Sequence, residues 1–585
     1  MAESAIEKKS FDFAVRTVNL YKHLTSEKKE YILSKQFLRC GTSVGANVSE
    51  GERGQSKADF NAKMSIALKE ANEAYYWLKL LYKTNYLSDK EFLSMQSDID
   101  EITYYSSNGV NPLCEEIIKI LSSANGGEYT SADCDAVIKN YLRPMVGDEV
   151  INSSTNGIVK ARVKSVANKA TTIRNTLIKT AGSSELFEGM TSATTLDMRN
   201  TSNYIYQMAR AYGTYGCELY KDKGLLADLL YAVDWFYENR YGNDEAENNK
   251  SAWRDRTLYN WYDWRIGVPD NWIPTLMILK DDLTPKQIEK YLTCFDAAVP
   301  TTSSSGSNYI HVSRLIIGAA ALKEDGDRIK EYALDAEKTF VYVDNGRMQE
   351  SFLDAERSEY TANKGQGFYK DGSYVYHTLH AMNGTYGLPH LIKAADLIDT
   401  LSGTPFEMPS YCADNLADWI VNSFDTLIYQ NRLPRMVQGR TENPESITQV
   451  RQLVSSALKC FDYFSTEDKK IIGSIIKEYT SYNKSNFETA VPFSEVVKLK
   501  QIIESSEYNN YNYNSATVFG NMDKVMQKRH DWAFAVSMSS SRIFNYESIN
   551  NANKNGWYLG DGRTELVLKN EGAASASEYW KYINY

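Results

Sequence analysis

Asp371-Gly372-Ser373-Tyr374-Val375-Tyr376-His377-Thr378, followed by Asn383-Gly384-Thr385-Tyr386-Gly387, is the most informative stretch of this 585-residue chain. Glycines punctuate it, and a His and a Tyr stand nine positions apart. Either residue alone reads as part of a core. Their weight comes from what surrounds them. On both sides, from about 128 to 506, apolar residues recur at spacings of three and four, in segments separated by Gly, Pro and Asn-rich turns. Such a succession predicts helical hairpins arranged as an α/α toroid or solenoid, although no sharp repeat is visible.

Further outward the pattern changes twice. After Tyr508-Asn509-Asn510-Tyr511-Asn512-Tyr513-Asn514, the residues Trp532, Phe534, Val536 and Met538 alternate with small ones, which is strand period. Gly560-Asp561-Gly562 supplies a turn before Leu566 to Leu568, so a β region is expected from about Val518 to Tyr585. Toward the N-terminus, Ser122-Ser123-Ala124-Asn125-Gly126-Gly127 reads as a flexible break. Ahead of it the chain is helical throughout, with apolar positions at Phe11, Val15, Val18, Leu20, Tyr31, Leu33, Phe37 and Leu38. Ser88 with Glu91 gives a capping-box signal for the last of four segments. The fold class expected is therefore mainly α, in three parts: a four-helix bundle over 1–121, an α/α toroid over 128–507 after a linker at 122–127, and the beginning of an antiparallel β-sandwich over 508–585.

Composition narrows the function. A formal charge of −10 argues against a chain that coats nucleic acid, which needs a basic surface. No run approaches eighteen apolar residues, so no membrane span is expected. Met1 to Lys9 lack the apolar core of a secretory signal. Seven scattered cysteines without a CxxC spacing suggest buried thiols rather than a zinc site or a disulfide framework. The 42 tyrosines and 10 tryptophans suit sugar-stacking surfaces and equally a helical core with wet edges.

The motif His377 to Tyr386, with Arg440 following in Gln438-Gly439-Arg440, resembles polysaccharide lyases of the hyaluronate, chondroitin AC and xanthan lyase type (polysaccharide lyase family 8). Three other segments extend the likeness. Asn260-Trp261-Tyr262-Asp263-Trp264-Arg265-Ile266-Gly267-Val268-Pro269 resembles the family's aromatic segment, which implies substrate contact by Asn260, Trp261 and Tyr262. It reads as a helix-terminus loop, and Arg265 stands where an acidic residue is common. Ser305-Gly306-Ser307-Asn308 resembles the element whose Asn meets the substrate carboxylate; on its own, an Asn at a helix start is an N-cap candidate. Asn545-Tyr546-Glu547-Ser548-Ile549-Asn550 resembles the start of the family's β-sandwich, which makes Glu547 the supporting carboxylate; alone it would be a strand-end residue.

The resemblance implies a carbon–oxygen lyase that cleaves a uronate-containing, acidic polysaccharide by β-elimination. The C5 proton beside an ionised carboxylate is too weakly acidic to leave unaided. Asn308 and His377 would draw charge onto that carboxylate. Tyr386 would act as base and then return its proton to the leaving oxygen. Arg440, permanently cationic, would favour the phenolate together with Glu547. No metal or organic cofactor is required.

Two departures stand out. The family's second Arg, four positions after the first, is matched by Pro444, so one substrate or leaving-group contact is missing or is supplied elsewhere, with Arg435 and Arg451 as candidates. The β region is short, which implies unpaired strand edges and an uncovered apolar face. The family is usually secreted, and no export address is read here, so the compartment stays open. Residues 8–121 resemble a different family, the four-helix proteins of 23S rRNA intervening sequences, through Leu33 to Cys40, Ser43-Val44-Gly45-Ala46-Asn47-Val48-Ser49-Glu50-Gly51 and the helix through Glu70, Glu73 and Leu78. This implies a homo-oligomer formed through the bundle. The competing reading of the whole is an oligomeric assembly or carbohydrate-binding protein that holds sugar without turnover.

Overall fold

The computed structural model describes residues 5–53, 57–84, 86–88, 91–92, 95, 99, 129–153, 155–190, 194–242, 260–299, 306–343, 365–377, 379–441, 446–549, 552–554 and 556–569. The chain forms two compact units, 1–128 and 129–585, and each has its own core.

In the first unit, α1 (Ala5–Ser26), α2 (Leu33–Gly51) and α3 (Lys57–Lys83) pack in sequence order, α1 on α2 and α2 on α3. The buried face of α1 is Phe13, Thr17, Leu20 and Leu24, whereas Phe11, Val15 and Tyr31, expected to be apolar contacts, are exposed. The reason lies at Gly41 of α2. A Cβ there would sit 2.7 Å from Thr17, so the missing side chain lets the helices approach on the Thr17 face. The Glu30 carboxylate accepts the N–H groups of Ile32, Leu33 and Ser34 and caps α2. The box expected at Ser88 forms, with Ser88 N donating to Glu91 at 2.8 Å. The rest of that fourth segment and the 122–127 linker lie outside the described residues.

The second unit opens with α4 (Ser131–Val146), entered through a Thr130/Asp133 capping box. Then follow α5 (Gly157–Arg174), α6 (Thr195–Gly213), α7 (Lys223–Phe236), α8 (Pro269–Ile278), α9 (Pro285–Ala298), α10 (Gly306–Leu322) and α11 (Gly326–Ala336). After the site segment come α12 (Leu388–Leu401), α13 (Ser410–Asp418), α14 (Ser446–Cys460), α15 (Thr466–Ser481) and α16 (Val496–Glu504). Neighbours pack pairwise, and α4 touches α6, α8, α10 and α12. Nearly all of α10 is buried, as an apolar run such as Leu315 to Leu322 requires.

Two segments depart from what their sequence leads one to expect, and both carry site residues. Residues 367–381 form a small antiparallel sheet of β1 (Gly367–Phe368), β2 (Tyr374–Tyr376) and β3 (His380–Ala381). The aromatic and β-branched run Tyr374-Val375-Tyr376 favours extended backbone, and Asp371-Gly372, with Gly372 at φ 85°, makes the turn into it. The aromatic segment expected as a loop is helical, continuing through a π-turn at Asp263–Gly267 into α8.

The C-terminal sheet begins a little before Val518. Its antiparallel order is β4 (Ser515–Phe519), β5 (Lys524–Lys528), β6 (Trp532–Ser537), β7 (Arg563–Leu568). The alternation of β6 faces opposite to the usual sense. Small Ala533, Ala535 and Ser537 point to the buried side, while Trp532, Phe534 and Val536 are only half-buried. The buried side also holds Phe519 and Met526, joined to the helical core, so small residues are what allows close approach. On the other face Val518 and Leu566 are exposed.

Candidate active site

Four of the expected residues meet, from segments far apart in sequence. His377 sits in the β2–β3 turn with a left-handed φ of 44°, a strained conformation for a residue with a Cβ. Its Nδ1 donates to Glu547 Oε1 at 2.6 Å. Arg440 donates to that same oxygen through Nη1 at 3.2 Å and to Glu547 Oε2 through its backbone N–H at 3.2 Å. Arg440 Nη2 then reaches the Tyr386 hydroxyl at 3.5 Å, the long limit of a hydrogen bond. The Tyr386 ring lies 4.6 Å from that of His377 and 4.5 Å from Tyr376. Glu547 thus touches His377 and Arg440, and Arg440 is the group that touches Tyr386.

Tyr386 rides on a π-turn, Asn383–Gly387, an irregularity that often marks functional positions. The turn is held by side-chain amides that carry no expected role in the motifs. Asn383 is fully buried; its Nδ2 donates to Gly372 O and Ser423 O, and its Oδ1 accepts from Tyr374 N. Gln449 Nε2 donates to Gly384 O at 3.0 Å and pairs with Gln438. A Cβ on Gly384 would lie 2.3 Å from Gln438 Oε1, so glycine is needed there. Asn383 and Gln438 lie inside the quoted motifs beside glycines, which was a usable signal. Gln449 had none.

Arg435, one candidate for the contact of the second Arg, has its guanidinium engaged within the protein. It is buried, and its guanidinium donates to Gly439 O at 2.9 Å and to Asn553 Oδ1 at 3.2 Å. Asn553 in turn donates to Glu547 O at 2.8 Å. Arg435 therefore braces the residue before Arg440 and the backbone of Glu547. Arg451 Nη2 donates to Thr448. Pro444 lies outside the described residues.

Asn308 lies in the first turn of α10, two residues past the helix start and not at a cap position. It is half-buried, and its side chain has no hydrogen bond among the described residues. Gly306 brings that helix end to the site, since a Cβ there would meet Tyr376 at 2.3 Å. Asn260 Oδ1 accepts from Tyr262 N. Trp261 is 40% exposed and stands edge-on to Tyr262. The Tyr262 hydroxyl is pushed up by burial, then by the Asp270 carboxylate.

Burial alone would raise the Glu547 carboxyl. The His377 hydrogen bond and the charges of His377, Arg440 and His380 outweigh it and hold Glu547 below the usual carboxylate range. An ionised Glu547 receiving Nδ1–H leaves His377 Nε2 without a partner among the described residues. No group of three or more His, Cys, Asp or Glu suited to a metal occurs among the described residues. Nor is any described helix long and apolar enough to cross a membrane.

Comparison with known proteins identifies the family of each part of the chain. Residues 142–477 match the polysaccharide lyase family 8 N-terminal alpha-helical domain, and 514–584 match that family's super-sandwich domain. Residues 2–107 match the 23S rRNA-intervening sequence protein family. A hyaluronate lyase of Staphylococcus aureus is 25% identical over 76% of this chain and 58% of its own length. A xanthan lyase of Bacillus sp. is 28% identical over 65% of this chain and 39% of its own. Among solved structures, Paenibacillus xanthan lyase superposes with a TM-score of 0.64 at 26% identity, covering 75% of this chain and 40% of that one. Chondroitin AC lyase of Streptomyces coelicolor A3 gives 0.65 at 21% identity, covering 77% and 59%, a likeness of fold. The chain thus spans between two fifths and three fifths of the length of these relatives. With one family's helical model covering more than half of the residues and its sheet model resuming at 514, this chain belongs to polysaccharide lyase family 8 and carries a 23S rRNA-intervening sequence domain ahead of the lyase region.

Proposed function

We propose that the chain cleaves a uronate-containing polysaccharide, of the hyaluronan, chondroitin or xanthan-like class, by β-elimination at the centre described above. The observation that carries the reading is the bridge at Glu547, one carboxylate oxygen joined to both His377 and Arg440 while Arg440 reaches Tyr386. Glu547 orients the His377 ring so that its Nε2 edge, together with the Asn308 amide, meets the substrate carboxylate. Hydrogen bonds there stabilise the charge that builds up as C5 loses its proton. Tyr386 takes that proton, with the Arg440 cation stabilising negative charge on its oxygen. It then passes the proton to O4 as the C4–O4 bond breaks, leaving a C4=C5 double bond on the uronate. Asn260, Trp261 and Tyr262 form the stacking surface for a neighbouring sugar.

The test is ultraviolet absorbance of the unsaturated uronate on a panel of uronate polymers. A rise with the full chain and its loss in Tyr386→Phe support the reading. Binding without any rise on every polymer replaces it with a carbohydrate-binding function.

A further inference from the structure

His377 and Glu547 are 170 residues apart, and neither is held by ladder hydrogen bonds. His377 has a left-handed φ. Glu547 lies in an irregular stretch between β6 and β7. A bond of 2.6 Å between two such residues needs something to fix both backbones.

His380 is placed to do this. It sits on β3, and its register is set by pairing with Tyr376. Its Nδ1 is 2.7 Å from the carbonyl oxygen of His377, and its Nε2 is 3.1 Å from the carbonyl oxygen of Tyr546, the residue before Glu547. Carbonyl oxygens only accept, so each ring nitrogen faces an acceptor for the N–H it can carry. His380 is also among the groups that hold Glu547 below the usual carboxylate range. A second link runs beside the first. Phe544 N donates to Leu379 O at 2.9 Å, and the Phe544 ring meets the His380 ring edge-on at 5.3 Å.

We propose that His380 is a positioning residue of this centre, a staple that ties the His377 carbonyl to the Tyr546 carbonyl and thereby holds His377 Nδ1 against Glu547. The inference rests on the lyase reading for its effect on rate, though not for its effect on structure. His380→Phe keeps the ring and its packing on Phe544 while removing both ring nitrogens. A shift of about 1 Å at a reacting constellation costs on the order of 10²-fold. The expected result is a fall in kcat of about that size with KM nearly unchanged. His380→Arg, which offers donors on two sides, should recover part of it.

The readout that needs no turnover is proton NMR of the full chain. The Nδ1–H of His377, in its short bond to a carboxylate, should resonate far downfield in the wild-type protein and vanish in His380→Phe. If His380→Phe does not fold, His380→Asn replaces it in the same measurement. Persistence of the His377 resonance in the folded variant overturns the staple. Absence of turnover in the wild type with loss of that resonance in the variant keeps the staple and overturns only the lyase reading.

Discussion

The second unit contains two histidine–carboxylate pairs of nearly equal length, set in opposite surroundings. His377 Nδ1 meets Glu547 at 2.6 Å, and His311 Nε2 meets Asp270 at 2.7 Å. The first joins a strained turn to an irregular segment, and its imidazole keeps 34% of its surface exposed. The second joins two regular helices, α8 and α10, and its imidazole keeps 10%. Around it Lys393 stands 3.9 Å from Asp270, and the buried Arg314 guanidinium lies 3.6 Å above the Tyr141 ring. Burial lowers the His311 imidazole from its ordinary value, and Asp270 opposes that; Asp270 itself is held far below the carboxylate range, burial being outweighed by His311, Lys393 and Arg314. The same bond is closed over by helices in one place, and in the other it leaves one ring edge and a strained backbone open.

Substitution of the two acids separates these roles most sharply. Glu547→Gln should lower kcat on a uronate polymer by about 10²-fold, because the charge orienting His377 and Arg440 is removed. Its unfolding temperature should fall as well, because Glu547 keeps only 5% of its side-chain surface exposed and Arg440 loses its carboxylate partner. Asp270→Asn should cost about 2 kcal/mol in denaturant unfolding while leaving kcat of the folded protein nearly unchanged, so the two differ in rate. A smaller stability effect than for a fully buried acid is expected because Asp270 keeps 32% of its side-chain surface exposed. Equal effects of both variants on rate would collapse the distinction.

Acid should act on the buried pair in two steps. His311 has a lowered value in the folded state, so the unfolded chain binds its proton more readily, and stability falls as pH drops below the ordinary 6.5. Asp270 is lowered too, so its contribution is complete above the ordinary 3.8 and is lost as pH falls further. Denaturant midpoints measured from pH 7 downward should show both declines, and Asp270→Asn should remove the lower one. The smallest effect is expected at the rim. Trp261→Ala should raise KM a few-fold, about 1 kcal/mol of stacking, with kcat little altered.

Helices were legible because their signal is local. Apolar spacing, the Ser88 box and the glycine-marked motifs each reside within a few residues. The faces were less so. Phe11 and Val15 have the right spacing for a core, yet α1 buries Thr17 instead, because Gly41 on another helix admits it. Trp532 and Phe534 would by size face inward, yet Ala533 and Ala535 do, because the sheet lies close on the helices. The β1–β3 hairpin was hidden inside a helical neighbourhood, where strands of two or three residues leave almost no periodicity.

The sequence by itself determined which chemical groups this protein carries and the family they come from, since His377, Tyr386, Arg440, Asn308 and Glu547 are recognised by type and order along the chain. Only the tertiary structure decided how they act on one another. It made Glu547 the partner of His377 and Arg440, turned Arg435 inward as a brace, and set His380 between the carbonyls of His377 and Tyr546. Hydrogen bonds act over about 3 Å, and which residues come that close is settled by helix packing and strand register.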